Sequence, residues 1–176
     1  MARVFILGMS LPRFQTSTRV LAGSYRTEQL VEPILEAGHE VRLCAANYFS
    51  KHEKERYISK RSDGQLDYYE MNFLMTNQQD QLRDLLDEYS PDCIVAVTQH
   101  PSHLVTAIAR EHPLWCDLYG AVMAEAQAKA SVYKDNSHLN HFWSTERHVL
   151  ARSDVFSTCS SFQEHFLIGE LTLMGR

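Results

Sequence analysis

Pro91 to Glu125 reads PDCIVAVTQHPSHLVTAIAREHPLWCDLYGAVMAE, and its two apolar runs set the fold class. Cys93 to Val97 and Leu114 to Tyr119 are short and crowded with apolar residues, and the segment between them has helical periodicity. Such a strand, helix, strand unit suits a parallel sheet covered on both faces, because crossover helices leave neither face to water. Polar groups begin where each run stops: Thr98, Gln99, His100 and His103 after the first, Asp117, Tyr119 and Gly120 closing the second. In an open α/β sheet the ligand crevice lies beyond the carboxyl ends of the strands, so chemistry is expected at these two ends. Asp117 needs a partner, since a carboxylate inside a covered strand is costly unless it is hydrogen-bonded.

Outward from this unit the alternation continues. Arg3 to Gly8 (RVFILG) is a buried, central strand. Met9 to Ser24 follows as a long polar loop, and the glycine pattern of a dinucleotide turn, G-x-G-x-x-G, is absent, which removes the case for a nicotinamide dehydrogenase. A helix is expected over about Thr27 to Ala37, which Pro33 either bends at Glu32 or makes regular only later, capped by Gly38, and then a strand from Glu40 to Ala45. Residues 46 to 64 read as loop with a helical turn. Leu66 to Met71 is a weaker strand toward an edge. Thr76 with Gln79 forms a capping-box pattern ahead of a helix that closes on Ser90-Pro91. Ser102 is expected to cap the helix carrying Leu104, Val105, Ile108 and Ala109, which Pro113 stops.

Helices then follow from Ala121 to Ala130 and from Asn136, the latter burying Leu139, Phe142, Trp143, Val149 and Leu150. Asp154 to Thr158 is a sixth strand, and Ser160 with Gln163 repeats the capping box before Phe162, Phe166 and Leu167. The pattern predicts a Rossmann-like, doubly wound, mostly parallel sheet of six strands or more, helices on both faces, in the order 3-2-1-4-5-6.

At 176 residues, 44% of them apolar, one packed domain is the default. No stretch approaches the about 20 apolar residues of a membrane span, so a cytoplasmic chain is expected. The net charge of −5 leaves no basic footprint for nucleic acid, and the positive segment Lys51 to Arg61 reads as a solvated face. Cys44, Cys93, Cys116 and Cys159 form no Cys-x-x-Cys pair and read as small, reduced, mostly buried thiols. His138, His141 and His148 share a helix without a completing ligand, which argues for exposed imidazoles and no metal site. Arg26, at the expected mouth of the first helix, can hold an anion or a sugar. No Gly-x-Ser-x-Gly elbow or Walker loop is present, so hydrolase and nucleotide triphosphatase readings have no motif.

Four pieces, GSYRTEQLVEPILEAGHEVRL at 23 to 43, PDCIVAV at 91 to 97, HPLWCDLYGAVMAE at 112 to 125 and ARSDVFSTCSSFQEHFLIGEL at 151 to 171, together resemble the N-terminal domain of a two-domain (GT-B) retaining glycosyltransferase of group 1, family four. The resemblance implies that residues 1–171 are the acceptor-side domain and 172–176 the start of a linker to an absent C-terminal, donor-binding domain of the same polypeptide. The enzyme it implies moves a sugar from a nucleotide-sugar donor to a sugar, lipid or polysaccharide acceptor, with no cofactor, no metal and no nucleic acid, in the cytoplasm or in peripheral contact with the inner membrane surface. The chain by itself is then inactive.

Gly23, Arg26, Thr98, Gln99, Tyr119, Gly120 and Glu125 are the implied substrate-binding residues, and His100 the catalytic one. Val95, Val97 and Tyr119 stand where many members carry histidines, and His100 takes the place of the missing group from the following turn. Arg26, His100 and Tyr119 are expected to converge on one crevice. A non-catalytic α/β domain that binds a small ligand or a partner protein is the alternative from another class.

Overall fold

A computed structural model describes residues 1–15, 20–47, 59–72 and 79–176. The strands are β1 (Arg3–Met9), β2 (Glu40–Asn47), β3 (Ser59–Asp63), β4 (Leu66–Asn72), β5 (Cys93–Val97), β6 (Leu114–Asp117) and β7 (Val155–Ser157). They form one sheet in the order β3-β4-β2-β1-β5-β6-β7. Every pairing is parallel except the hairpin β3–β4. The six expected strands hold their expected order, and the chain is a Rossmann-like α/β domain.

The extra strand corrects the sequence reading twice. Ser59–Asp63 lies within the stretch read as loop, and it covers β4, which is therefore not the edge. SKRSD has no apolar alternation to announce a strand, and a polar edge strand needs none, because solvent covers its outer side. Gly64, at φ 59°, makes the turn between the two strands. The Thr76 and Gln79 capping pattern begins outside the described residues.

The helices are α1 (Ala22–Glu36), α2 (Gln79–Tyr89), α3 (Gln99–Thr106), α4 (Val122–Tyr133), α5 (Ser137–Arg152) and α6 (Ser161–Leu173), and a 3₁₀ turn spans Pro12–Phe14. On one side of the sheet Leu82 and Leu86 of α2, Val105 of α3, Val149 and Leu150 of α5 and Leu167 of α6 cover Phe5, Ile94, Leu114 and Cys116. On the other side Val31 of α1 and Leu11 cover Ile6, Leu43, Tyr68 and Val97, and Phe14 packs against them. The near-continuous apolar runs of β1, β2 and β5 thus meet helices on both faces.

Several boundaries differ from the pattern. Helix α1 begins five residues before Thr27 and runs through Pro33 without interruption. Its first residues carry no capping side chain, so nothing local marks the start. Its end is well marked: Gly38, at φ 79°, donates its N–H to Leu35 O (2.9 Å) and His39 donates to Ile34 O (3.2 Å), a Schellman pairing. Ser102 lies inside α3 instead of capping it, because the helix opens at Gln99, and its hydroxyl donates to Thr98 O (2.7 Å). Ser160 does cap α6, accepting the N–H of Gln163. Phe162 is 86% exposed, because the inward face of α6 is set by Leu167 and Glu170. On α5 the fully buried side chains are Glu146, Val149 and Leu150, and Leu139, Phe142 and Trp143 are only half-buried. All four cysteines are free, and Cys44 and Cys116 are buried, whereas Cys93 is half-buried and Cys159, beyond the end of β7, is exposed.

Candidate functional site

Because β1, β5, β6 and β7 are parallel neighbours, their carboxyl ends share one edge of the sheet. Arg26 reaches this edge from the second turn of α1. Its Nε donates to Asp117 Oδ2 at 2.8 Å and its Nη2 to Asp117 Oδ1 at 2.6 Å. Asp117 has no exposed surface, whereas the Arg26 side chain keeps 23% of its own. A two-point pair of this kind is the arrangement that a planar guanidinium and a carboxylate favour. Ser157 on β7 donates to Asp117 Oδ1 (2.6 Å), and the Trp115 indole Nε1 donates to the Ser157 oxygen (2.8 Å). The carboxylate inside the strand thus has three donors, and the Arg26 pKa is raised, first by its bond to Asp117.

The backbone at this edge is tightly arranged. Thr98, between β5 and α3, sits at φ 75°, ψ 164°, a region that is essentially reserved for glycine and costs of order 1–3 kcal/mol. Two bonds hold it there: its N–H donates to Asp117 O (2.9 Å), and Ser102 N–H donates to Thr98 O (3.0 Å). Gly23 lies opposite. A Cβ on Gly23 would collide with Met9 Sδ and lie 3.2 Å from Thr98 Cγ2, so glycine here lets α1 lie close to β1 and β5 with the Met9 side chain in place.

Tyr119 and Gly120 leave β6 beside this group. The Gln163 side-chain amide of α6 donates to Tyr119 O (2.7 Å), tying the rim to the last helix. Burial raises the pKa of the Tyr119 phenol, and Glu125, Cys159 and Asp117 raise it further. A Cβ on Gly120 would lie 3.3 Å from Glu125 Oε1, so the Glu125 carboxylate folds back over the glycine. Gly23, Arg26, Thr98, Tyr119, Gly120 and Glu125 therefore stand together at the carboxyl edge.

Gln99 and His100 do not join them. They form the first turn of α3 and are turned toward α5. Gln99 lies beside Glu146, and His100 is held neutral, its pKa lowered to about 4 by burial and then by His103 and His141. The expected convergence of Arg26, Tyr119 and His100 thus holds for the first two. The reason is the early start of α3, which places His100 on a helical face instead of in an extended turn.

Sequence reasoning singled out Asp117 but missed Ser157, Trp115 and Cys159, the last of which is close enough to Arg26 and Tyr119 to act on their charge. Only position marks them: Ser157 ends β7, Cys159 lies two residues beyond it, and Trp115 stands two residues before Asp117 on the same strand. Among the described residues no group of three or more His, Cys, Asp or Glu is placed to hold a metal ion. None of the described helices is long and apolar enough to cross a membrane.

Neither a protein-family model nor a curated protein sequence matches the chain. Its fold is shared with solved structures. The trehalose-6-phosphate synthase of E. coli, bound with UDP-2-fluoro glucose, superposes over 98% of this chain with a TM-score of 0.53 at 7% identity. The α,α-trehalose-phosphate synthase (UDP-forming) of Burkholderia vietnamiensis superposes over 99% with a TM-score of 0.56 at 10% identity. Both are glycosyltransferases of the GT-B fold, and the chain spans 43% of the length of each. At these identities the likeness is one of fold alone.

Proposed function

We propose that this domain is the acceptor-side half of a glycosyltransferase that moves a sugar from a nucleotide-sugar donor to a hydroxyl acceptor. The observation that carries the reading is the extent of the likeness: nearly the whole chain superposes on 43% of two sugar-transferring enzymes, one of them bound to a UDP-sugar. A domain of this size in such an enzyme supplies one wall of a cleft, and the donor-binding wall belongs to a second α/β domain. The candidate wall here is the carboxyl edge, where Arg26, Thr98, Tyr119 and Glu125 offer hydrogen-bonding groups on a rigid backbone. In a retaining transfer no strong general base is required, so catalysis rests on holding donor and acceptor in register. A neutral His100 facing α5 suits a packing role better than that of an acid at neutral pH. The chain uses no cofactor beyond the sugar nucleotide.

The test is a transfer assay with radiolabelled nucleotide sugars and the purified 176-residue chain, alone and mixed with a separately produced donor-binding α/β domain. Transfer is expected only in the mixture, and Arg26→Met or Glu125→Gln should lower it. Transfer by the chain alone, or none in the mixture with acceptors ranging over sugars, lipids and polysaccharides, would overturn the proposal in favour of a binding domain without catalysis.

A further inference from the structure

Helix α6 buries little of itself, and just beyond it Arg176 Nη1 donates to Ser153 O (2.8 Å) and to Leu150 O, tying the end of the helix to α5. The helix fully buries two side chains, Leu167 and Glu170, one turn apart on one face, with Phe166, Leu171 and Met174 half-buried beside them. One of the two anchors is thus a carboxyl group. Across the interface on α5 stands a second, Glu146, only 3% exposed against 7% for Glu170. Glu146 Oε2 and Glu170 Oε1 are both buried without a hydrogen-bond partner among the described residues.

The nearby arginines make other bonds: Arg176 donates to Leu150 O and Ser153 O, and Arg152, which acts on the Cys116 thiol, donates to Arg110 O and His112 O. From α3 the interface receives Gln99, which lies beside Glu146, together with His100 and His103. Burial lowers the pKa of both histidines, and His141 acts on both from α5, with His148 acting on His103. From β6 comes Cys116, whose thiol is pushed up to about 11 by burial and feels the Glu146 charge. No lysine or arginine among the described residues forms an ion pair with either glutamate. Two ionised carboxylates here would be buried, unpaired and mutually repelling, the least tolerable state of such a pair.

We propose that Glu146 and Glu170 are a proton-operated latch for α6: with their carboxyls protonated the helix stays docked on α5, and on ionisation it lifts and releases the crevice rim. The second half of the device is the bond from Gln163 Nε2 to Tyr119 O (2.7 Å), by which the first turn of α6 holds the residue that closes β6. Burial pushes Glu146 up to about 8, with Glu170 adding to it, and Glu170 up to about 7. A carboxyl raised in the folded state contributes stability below its unfolded value and loses it as pH rises through the folded one. The latch therefore opens between about neutrality and pH 8, and is closed below. This reading concerns the fold and does not depend on sugar transfer.

Amide hydrogen exchange of the full chain decides it, with α2, on the same side of the sheet but far along the order of elements, as the internal reference for the intrinsic rise of exchange with pH. From about pH 6 to about pH 8.5 the protection of Ser161–Leu173 relative to Gln79–Tyr89 should fall by tenfold or more, as expected when opening releases at least one proton. Glu170→Gln and Glu146→Gln, each keeping the shape of the side chain without its charge, should each lessen the fall, because burial still raises the carboxyl that remains, and the double variant should hold the ratio level over the same range. A ratio that stays level in the wild-type chain, or falls equally in whichever of the two variants folds, would overturn the latch.

Discussion

Asp117 shows what a single residue can disclose in advance and what it cannot. Its cost is legible in the sequence, because a carboxylate stands in a run whose neighbours are apolar on both sides. Its partner is not, because Arg26 lies 91 residues away and nothing in local spacing links the two. The pair also fixes a prediction. Arg26→Met leaves the buried carboxylate without its two-point partner, and breaking such a pair costs 3–5 kcal/mol when both members are buried. Since part of Arg26 is exposed, the lower end applies: urea unfolding should register a loss of about 3 kcal/mol. Adding Asp117→Asn should restore part of it, and a loss below about 1 kcal/mol would mean that water, not Arg26, satisfies the carboxylate. The cysteines give a second expectation. Cys44, pushed up to about 12 by burial, and Cys116 should resist a thiol reagent at neutral pH until the chain is unfolded, whereas the exposed Cys159 should react at once. Fast reaction of Cys44 or Cys116 in the folded chain would contradict the burial. The sequence reading treated all four alike because strand-like surroundings do not reveal where a three-residue strand such as β7 stops.

Elements are legible where a local signal has a local cause. The Ser160 and Gln163 pattern works because a hydroxyl three residues before an N–H can reach it, and α6 starts where it says. Helix α1 is the opposite case, since Leu21 caps nothing and the helix start is determined by packing of the chain against β1. The contact that does this is between Gly8 and Thr27. The Thr27 hydroxyl accepts the Met9 N–H (2.9 Å) and donates to Gly23 O (2.8 Å), pinning helix to strand. A Cβ on Gly8 would lie 2.7 Å from Thr27 Cγ2 and 2.8 Å from its Oγ1. Thr27 is buried and β-branched, so it cannot swing aside. Gly8→Ala should therefore push α1 from the sheet and cost about 1–3 kcal/mol in thermal or urea unfolding. Gly8→Ala combined with Thr27→Ala should recover the steric part and keep the loss of the Thr27 bonds. A neutral Gly8→Ala would show that α1 is free to shift.

At the scale of the molecule the strand order was the most legible feature, because right-handed parallel crossovers leave few ways to arrange six strand-helix units. The buried ionisable groups were the least, because they belong to the α3, α5 and α6 interface and not to any one segment. Their combined effect on stability can be worked out from the folded and free values. His100, lowered from 6.5 to about 4, contributes stability that is present above pH 6.5 and lost as pH falls toward 4, and His103 acts in the same direction. Glu146, raised from 4.5 to about 8, and Glu170, raised from 4.5 to about 7, do the reverse and lose stability as pH rises. Between 4.5 and 6.5 the two pairs oppose each other, so the melting temperature of the whole chain should change little there. Above 6.5 the histidines are neutral in both states and only the carboxyl pair still has a gradient. The melting temperature should therefore fall from about pH 6.5 to about pH 8 and then level. Scanning calorimetry at half-unit steps measures this directly, with the Glu146→Gln, Glu170→Gln double variant as the control that should abolish the slope. A melting temperature that rises or stays flat over that interval in the wild-type chain would show that both carboxyls reach water or a cation, and that the α5 and α6 interface is more open than its geometry indicates.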